Sequence, residues 1–145
     1  AAGGEIALAR SVHLMFTVFE EVGHGASAFL PREVRDMVAV DMGCVGDDLG
    51  CDETMVSICA KDSAGPYHHG LTGELIALAQ AENIRHAVDI YPHYASDTAT
   101  ALRAGLEARH ALIGPGVFAS HGYERTHREG IFQTLRLLKA LVQKP

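Results

Sequence analysis

Several features that would assign this chain to a special environment are missing from it. No uninterrupted apolar run approaches the roughly 20 residues of a membrane-spanning helix, and the sequence opens without a basic-then-apolar signal pattern. A cytoplasmic protein that acts without a membrane is therefore expected. Basic residues are few: twelve Lys and Arg against eighteen Asp and Glu leave a formal charge of −6. They are scattered rather than clustered, which argues against nucleic acid, whose phosphates require concentrated positive charge. The acidic balance suits a cation site better. Cysteine is limited to Cys44, Cys51 and Cys59, an odd number without CxxC spacing, as expected of free thiols in a reducing compartment. These read as packing residues, with zinc ligation by Cys44 and Cys51 as the alternative. There is no compact metal signature such as HExxH, no internal repeat and no low-complexity segment.

What is present is one domain's worth of sequence, 145 residues of which 48% are apolar, enough to bury a core but small for a complete hydrolase. The chain is organised around Phe16-Thr17-Val18-Phe19-Glu20-Glu21-Val22-Gly23, where an apolar run ends in two carboxylates and a glycine. Val12, Leu14, Phe16 and Val18 alternate with His13, Met15, Thr17 and Phe19, so both faces are mostly apolar and a central strand buried on both sides is expected. Ahead of it, Ala1 to Arg10 reads as the second half of a helix, which suggests the C-terminal part of something longer. A short helix is expected from Gly23, ending near Pro31. Strands are expected at 38–43, 54–60, 87–91 and 111–116, and helices at 71–81, from about 98 to 104, and at 124–143. Ser96 and Asp97 are expected to cap the second of these helices. Ile131, Leu135, Leu138 and Val142 form the expected buried stripe of the last one. Strands alternating with helices define an α/β layered domain with a mixed, largely parallel sheet.

Glu20, Glu21, Asp41 and His127 each fall at the boundary of an element with an apolar body, and such boundaries collect on one edge of an α/β sheet. Carboxylates with one imidazole suit zinc or cobalt better than calcium, which prefers oxygen alone, or a structural zinc, which prefers thiolates.

The residues Phe19-Glu20-Glu21-Val22-Gly23, Val40-Asp41, Lys61-Asp62-Ser63-Ala64-Gly65-Pro66-Tyr67, Asp89-Ile90-Tyr91-Pro92 with Ser96-Asp97, and Ser120-His121-Gly122-Tyr123-Glu124-Arg125-Thr126-His127 occur in one order. Together they resemble the C-terminal half of the tetrahedral-aminopeptidase and glutamyl-aminopeptidase group of co-catalytic zinc or cobalt metallopeptidases. The resemblance implies Glu20 as general base, Glu21 and Asp41 as ligands of two different metal ions, and His127 as the last ligand. It implies peptide hydrolysis from the N-terminus by a metal-activated water, with peptides as substrates and a homo-oligomer as the full-length assembly. Asp97, His121 and His68 are candidates for substrate contact. His69 reads, like His68, as a loop residue with substrate contact as the alternative, and His13, His24, His86, His93 and His110 read as structural or solvated.

The sequence also departs from that pattern. The family uses a His-x-Asp pair and a bridging Asp upstream, and neither occurs between Ala1 and Pro145. Residues 1–145 are thus expected to be the C-terminal part of a catalytic domain, without its upstream part and inserted β domain, and to be inactive alone. The other readings are a non-catalytic α/β module that binds metal or peptide, and a purely structural unit.

Overall fold

The computed structural model describes residues 7–28, 30, 31 and 33–144. Its centre is β6 (Arg109–Phe118), buried along most of its length. On one edge β6 pairs in parallel with β1 (Asp36–Val40), Val38 opposite Ala111, and further on with β2 (Gly43–Cys44). On the other it pairs antiparallel with β3 (Val56–Asp62), Ile58 opposite Ile113, and then with β7 (Arg125–Thr126). Beyond β3 lies β5 (His86–Tyr91) in parallel, while β4 (Gly65–Pro66) folds back onto the end of β3. The sheet is therefore mixed, with seven strands, and the domain is α/β as its sequence pattern indicates.

Alternation along β3 and β6 divides the core. Val56, Ile58, Ala111 and Ile113 join Leu71, Leu75 and Ala79 of α1 (His69–Ala81) and Leu137 and Leu141 of α3 (Arg128–Gln143). Cys59 and Leu112 join Tyr67 and Tyr91 in a second cluster, with Tyr94 packed against it. The short helix α2 (Asp97–Arg103) contacts β1 and β6. Ions tie the periphery together: Arg109 grips Asp36 with Nε and Nη2 at 2.5 and 2.6 Å, while Arg10 and Lys144 approach Glu74 at 3.9 and 3.3 Å. All three cysteines are free, and burial pushes Cys51 and Cys59 up to about 12, so both remain thiols at neutral pH. No helix among the described residues is long and apolar enough to cross a membrane.

Three sequence expectations are corrected. The central strand over Val12–Phe19 does not form: residues 11–17 carry no regular structure, and Leu14, Phe16 and Val18 are 82, 92 and 82% exposed. A strand satisfies its backbone only through a neighbour, and this segment pairs with neither outer edge of the sheet, that of β1 or that of β5. The half-helix expected over Ala1 to Arg10 lies mostly outside the described residues, and Ala7 to Arg10 are not helical. The expected short helix from Gly23 is reduced to a single 3-10 turn, Gly25–Ser27. On α3 the buried face is Gly130, Gln133, Thr134, Leu137 and Leu141, whereas Ile131 and Leu135 are half exposed. The reason is local. A Cβ on Gly130 would come within 2.5 Å of the Glu53 carbonyl, so this glycine must face the sheet, and Thr134 follows it by donating to the Gly130 carbonyl at 2.9 Å.

Because Leu137 is fully buried between sheet and helices, Leu137→Ala is expected to lower unfolding free energy by about 2–5 kcal/mol. Urea denaturation of the protein checks this, and a change below about 1 kcal/mol would contradict the packing described.

Candidate active site

Glu20 and Glu21 sit in a single 3-10 turn, Glu20–Val22. Gly23, at φ 76°, closes it by donating its N–H to the Glu20 carbonyl, a conformation that favours glycine. A second turn, Gly25–Ser27, follows, and here α2 takes hold of the segment: the Ala26 N–H donates to Asp97 Oδ1 at 2.9 Å. A Cβ on Gly25 would overlap the Asp97 carboxylate. Asp97 is thus the first residue of α2 but spends its carboxylate on the neighbouring turn. Ser96, at the cap position, makes no capping bond and turns instead to Tyr67 Oη and Thr98 Oγ1, at 2.8 and 2.9 Å.

Asp41 follows β1 directly. Its N–H donates to the Ile113 carbonyl at 3.0 Å, and the Met42 N–H donates to its Oδ1 at 2.7 Å. Its own carbonyl occupies the place where a side chain on Gly114 would be. Register on β6 therefore fixes one carboxylate, and the contact with α2 fixes the turn that carries the others.

These groups share one electrostatic neighbourhood. Glu20 is half-buried, and its carboxyl is raised above the ordinary range by that burial first, then by Asp41, Asp97 and Glu21, with His121 opposing. Glu21 is largely exposed, and His121 Nε2 stands 3.9 Å from its Oε2. His121 has a φ of 60°, and its N–H donates to Glu124 Oε1 at 3.3 Å. The structure thus brings Glu20, Glu21, Asp41, Asp97 and His121 together.

His127 and His68 are placed differently. His127 is the N-cap of α3, and its Nδ1 accepts from the Glu129 N–H at 3.1 Å; it is not among the groups acting on Glu20. His68 caps α1 in the same manner, with Nδ1 accepting from the Leu71 N–H. Among the described residues no group of three His, Cys, Asp or Glu side chains is arranged to hold a metal ion. Glu21, Asp41 and His127 therefore do not complete a centre among the described residues.

Sequence reasoning missed two polar features. Asp62 is buried, with Oδ1 accepting from the Ala64 N–H and Oδ2 from Tyr67 Oη, each hydroxyl of the Tyr67–Ser96–Thr98 chain being satisfied in turn. Beside it a cavity of about 230 Å³ is lined by Pro66, Tyr67, Leu102 and His110. The other is Tyr94, whose Oη is buried without a partner. No spacing in the sequence marks it.

Residues 3–137 match the M42 glutamyl aminopeptidase family, and the chain belongs to it. It is 43% identical over 141 residues to a Bacillus subtilis (strain 168) protein described as "Putative aminopeptidase YhfE", covering 97% of this chain and 41% of that one. Its fold is similar to that of aminopeptidase APDkam598 from the archaeon Desulfurococcus kamchatkensis, with a TM-score of 0.76 and 18% identity over 89% of this chain and 40% of that chain. The Pyrococcus horikoshii TET1 peptidase, described as assembling into a tetrahedron or a large octahedral shell, gives 0.76 at 19% identity, covering 90% and 40%. The chain spans about two-fifths of the length of these relatives.

Asp97→Ala removes the acceptor of the Ala26 N–H, so amide exchange over residues 20–27 should accelerate while α1 stays protected, as hydrogen-exchange mass spectrometry would read. Unchanged protection would mean that the turn holds without α2. A second expectation concerns pH. His110 packs its ring against Tyr67 at 5.2 Å; burial pushes its imidazole below the ordinary 6.5, Asp62 pulls the other way, and His68 adds to the lowering. The unfolded chain then binds more protons, so stability from this group is present above about 6.5 and is lost as pH falls through the lowered folded value. His110→Phe should flatten the decline in melting temperature below that pH; a parallel curve would exclude His110 as its source.

Proposed function

We propose that the chain is part of a metal-dependent aminopeptidase, with Glu20 as the general base of peptide hydrolysis. The observation that supports this best is the half-buried Glu20 crowded by Asp41, Asp97 and Glu21, since a carboxylate raised toward neutrality can both take and return a proton. In this reading Glu20 accepts the proton of the attacking water and returns it to the leaving amine. Asp97, held in place by Ala26, and His121, next to Glu21, face the substrate; His68 stands at the rim of the Lys61–Gly70 loop. Family membership supports the peptidase class. In this reading residues 1–145 are the C-terminal part of a larger catalytic domain whose upstream part and inserted β domain lie outside them.

Glu21, Asp41 and His127 contribute to binding two divalent ions, zinc or cobalt, in the complete protein. Among the described residues no three donors are arranged for a metal, so in this reading the remaining ligands come from outside them. The substrates are peptides with a free N-terminus, the protein works in the cytoplasm, and it functions as a homo-oligomer, as the assembly described for the Pyrococcus horikoshii relative suggests. That no three-donor group occurs among the described residues favours a second reading for the isolated chain, a non-catalytic module that binds metal or peptide.

The full-length gene product should release p-nitroaniline from aminoacyl substrates with a free amine and not from N-acetylated ones. A chelator should abolish turnover, and zinc or cobalt should restore it. Glu20→Gln should lower kcat by about 10²–10⁴-fold. An inactive full-length protein with both metals supplied would overturn the proposal. For the isolated chain, a calorimetric zinc titration beside a Glu21→Ala, His127→Ala double variant separates the module reading from a unit that binds nothing.

A further inference from the structure

The cavity beside Asp62 is lined by none of Glu20, Glu21, Asp41 and Asp97. Its volume of about 230 Å³ lies below the roughly 300–1,000 Å³ of sites for drug-sized ligands, so its occupant is a small molecule. α2 forms one wall with Ala99, Leu102 and Arg103, and the β3–β4 hairpin forms another with Asp62, Ala64 and Pro66.

Two charges line this space without counter-charges. Asp62 is 2% exposed, and both of its oxygens accept, Oδ1 from the Ala64 N–H at 2.8 Å and Oδ2 from Tyr67 Oη at 2.7 Å. Acceptance at both oxygens is the pattern of an ionised carboxylate. Both donors are neutral, however, and among the described residues no cation pairs with Asp62. A buried charge is costly until an opposite one joins it. His110 lines the same cavity but does not serve, since burial holds its imidazole below the ordinary range and it stays uncharged at neutral pH.

Arg103 has the opposite sign. It ends α2 at an exposed position, and its Nε donates to the Ala99 carbonyl at 3.2 Å, which leaves both Nη groups for a further acceptor. Among the described residues no carboxylate pairs with it. The hydroxyls of the lining are already committed, Tyr67 to Asp62 and Ser96, and Thr98 to Ser96. Polar recognition in the cavity therefore falls to Asp62 and Arg103, with Pro66 and Leu102 as apolar surface.

We propose that this cavity binds a small zwitterionic amino acid, its ammonium at Asp62, its carboxylate on the Arg103 guanidinium and its carbon frame against Pro66 and Leu102. One ligand then supplies both missing counter-charges. A guanidinium offers paired N–H groups to a carboxylate, and an ammonium brings three donors to the lone pairs that Asp62 has left. A bare cation answers Asp62 alone, and a simple carboxylate answers Arg103 alone. The site stands apart from the acidic turn, and the inference does not rest on the aminopeptidase reading.

Calorimetric titration of the full-length protein tests this, with L-valine and 5-aminopentanoic acid as zwitterions of short and long span, and isobutylamine and isobutyric acid as ligands of one charge. At least one zwitterion should bind saturably, and each singly charged ligand about 10–100-fold more weakly, the loss of one charge-assisted contact. Amide exchange should slow over residues 62–67 and 99–103 when the zwitterion is bound. Leu102→Trp, which fills the cavity, should abolish binding, and Arg103→Gln, at an exposed position that the fold does not depend on, should weaken it by a similar 10–100-fold. Binding that persists unchanged in both variants, or that leaves exchange at the two walls unaltered, belongs to another site, the acidic turn included; it overturns the proposal and leaves the peptidase reading intact. A singly charged ligand that binds as tightly as the zwitterion overturns it too, as does the absence of any saturable binding.

Discussion

Everything that positions the carboxylates depends on β6 being hydrogen-bonded along both edges at once. Its parallel ladder to β1 delivers Asp41 to the level of Ile113 and Gly114, and its antiparallel ladder to β3 fixes the strand from which β5 and the tyrosine cluster hang. Gly114 is the tightest point of the arrangement, because the Asp41 carbonyl fills the volume of its missing side chain. A one-residue slip would exchange the faces of every side chain on the strand. Register thus sets both the core and the place of Asp41, and neither can shift without the other.

The second level is polar and spans elements far apart in sequence. Asp97 reaches from α2 to the turn after Glu20 and Glu21, across 71 positions to Ala26. Ser96 and Thr98, on the same short helix, complete the hydrogen bonds of Tyr67 and, through it, of buried Asp62. α2 is seven residues long and contributes little apolar area, so its value lies in these bonds. It couples the acidic turn to the buried network around β3, and the fit of one constrains the other.

Much of this was legible in the sequence, and the failures have physical causes. Strands β3 and β6 and helix α1 follow their apolar patterns closely, because each is largely buried within the chain and pattern and burial then agree. The Val12–Phe19 run has an equally good strand pattern but no partner, and pattern alone says nothing about who pairs with whom. On α3, apolar residues occupy both flanks of the true contact face, so periodicity could not choose between Leu135 and Thr134; a glycine facing a carbonyl did. At the site, Glu20, Glu21 and Asp41 stood out as acids at the ends of apolar runs, and Asp97 and His121 came from motif order. Tyr94 carried no such mark. An orphan hydroxyl is a property of three-dimensional surroundings, and no spacing rule encodes it. His127 was legible as a helix start, and the structure uses it as one.

The exposed segment from Val12 to Phe19 has one further consequence. It is rich in branched and aromatic side chains, with no Pro, Gly, Asp, Glu, Lys or Arg among its eight positions, the composition of a self-associating β-zipper. Arg10 stands just before it, and Glu20 and Glu21 close it. Charges that flank such a stretch act as gatekeepers against intermolecular stacking. The acidic pair therefore serves colloidal stability, and neutralising it would leave the stretch open to intermolecular stacking.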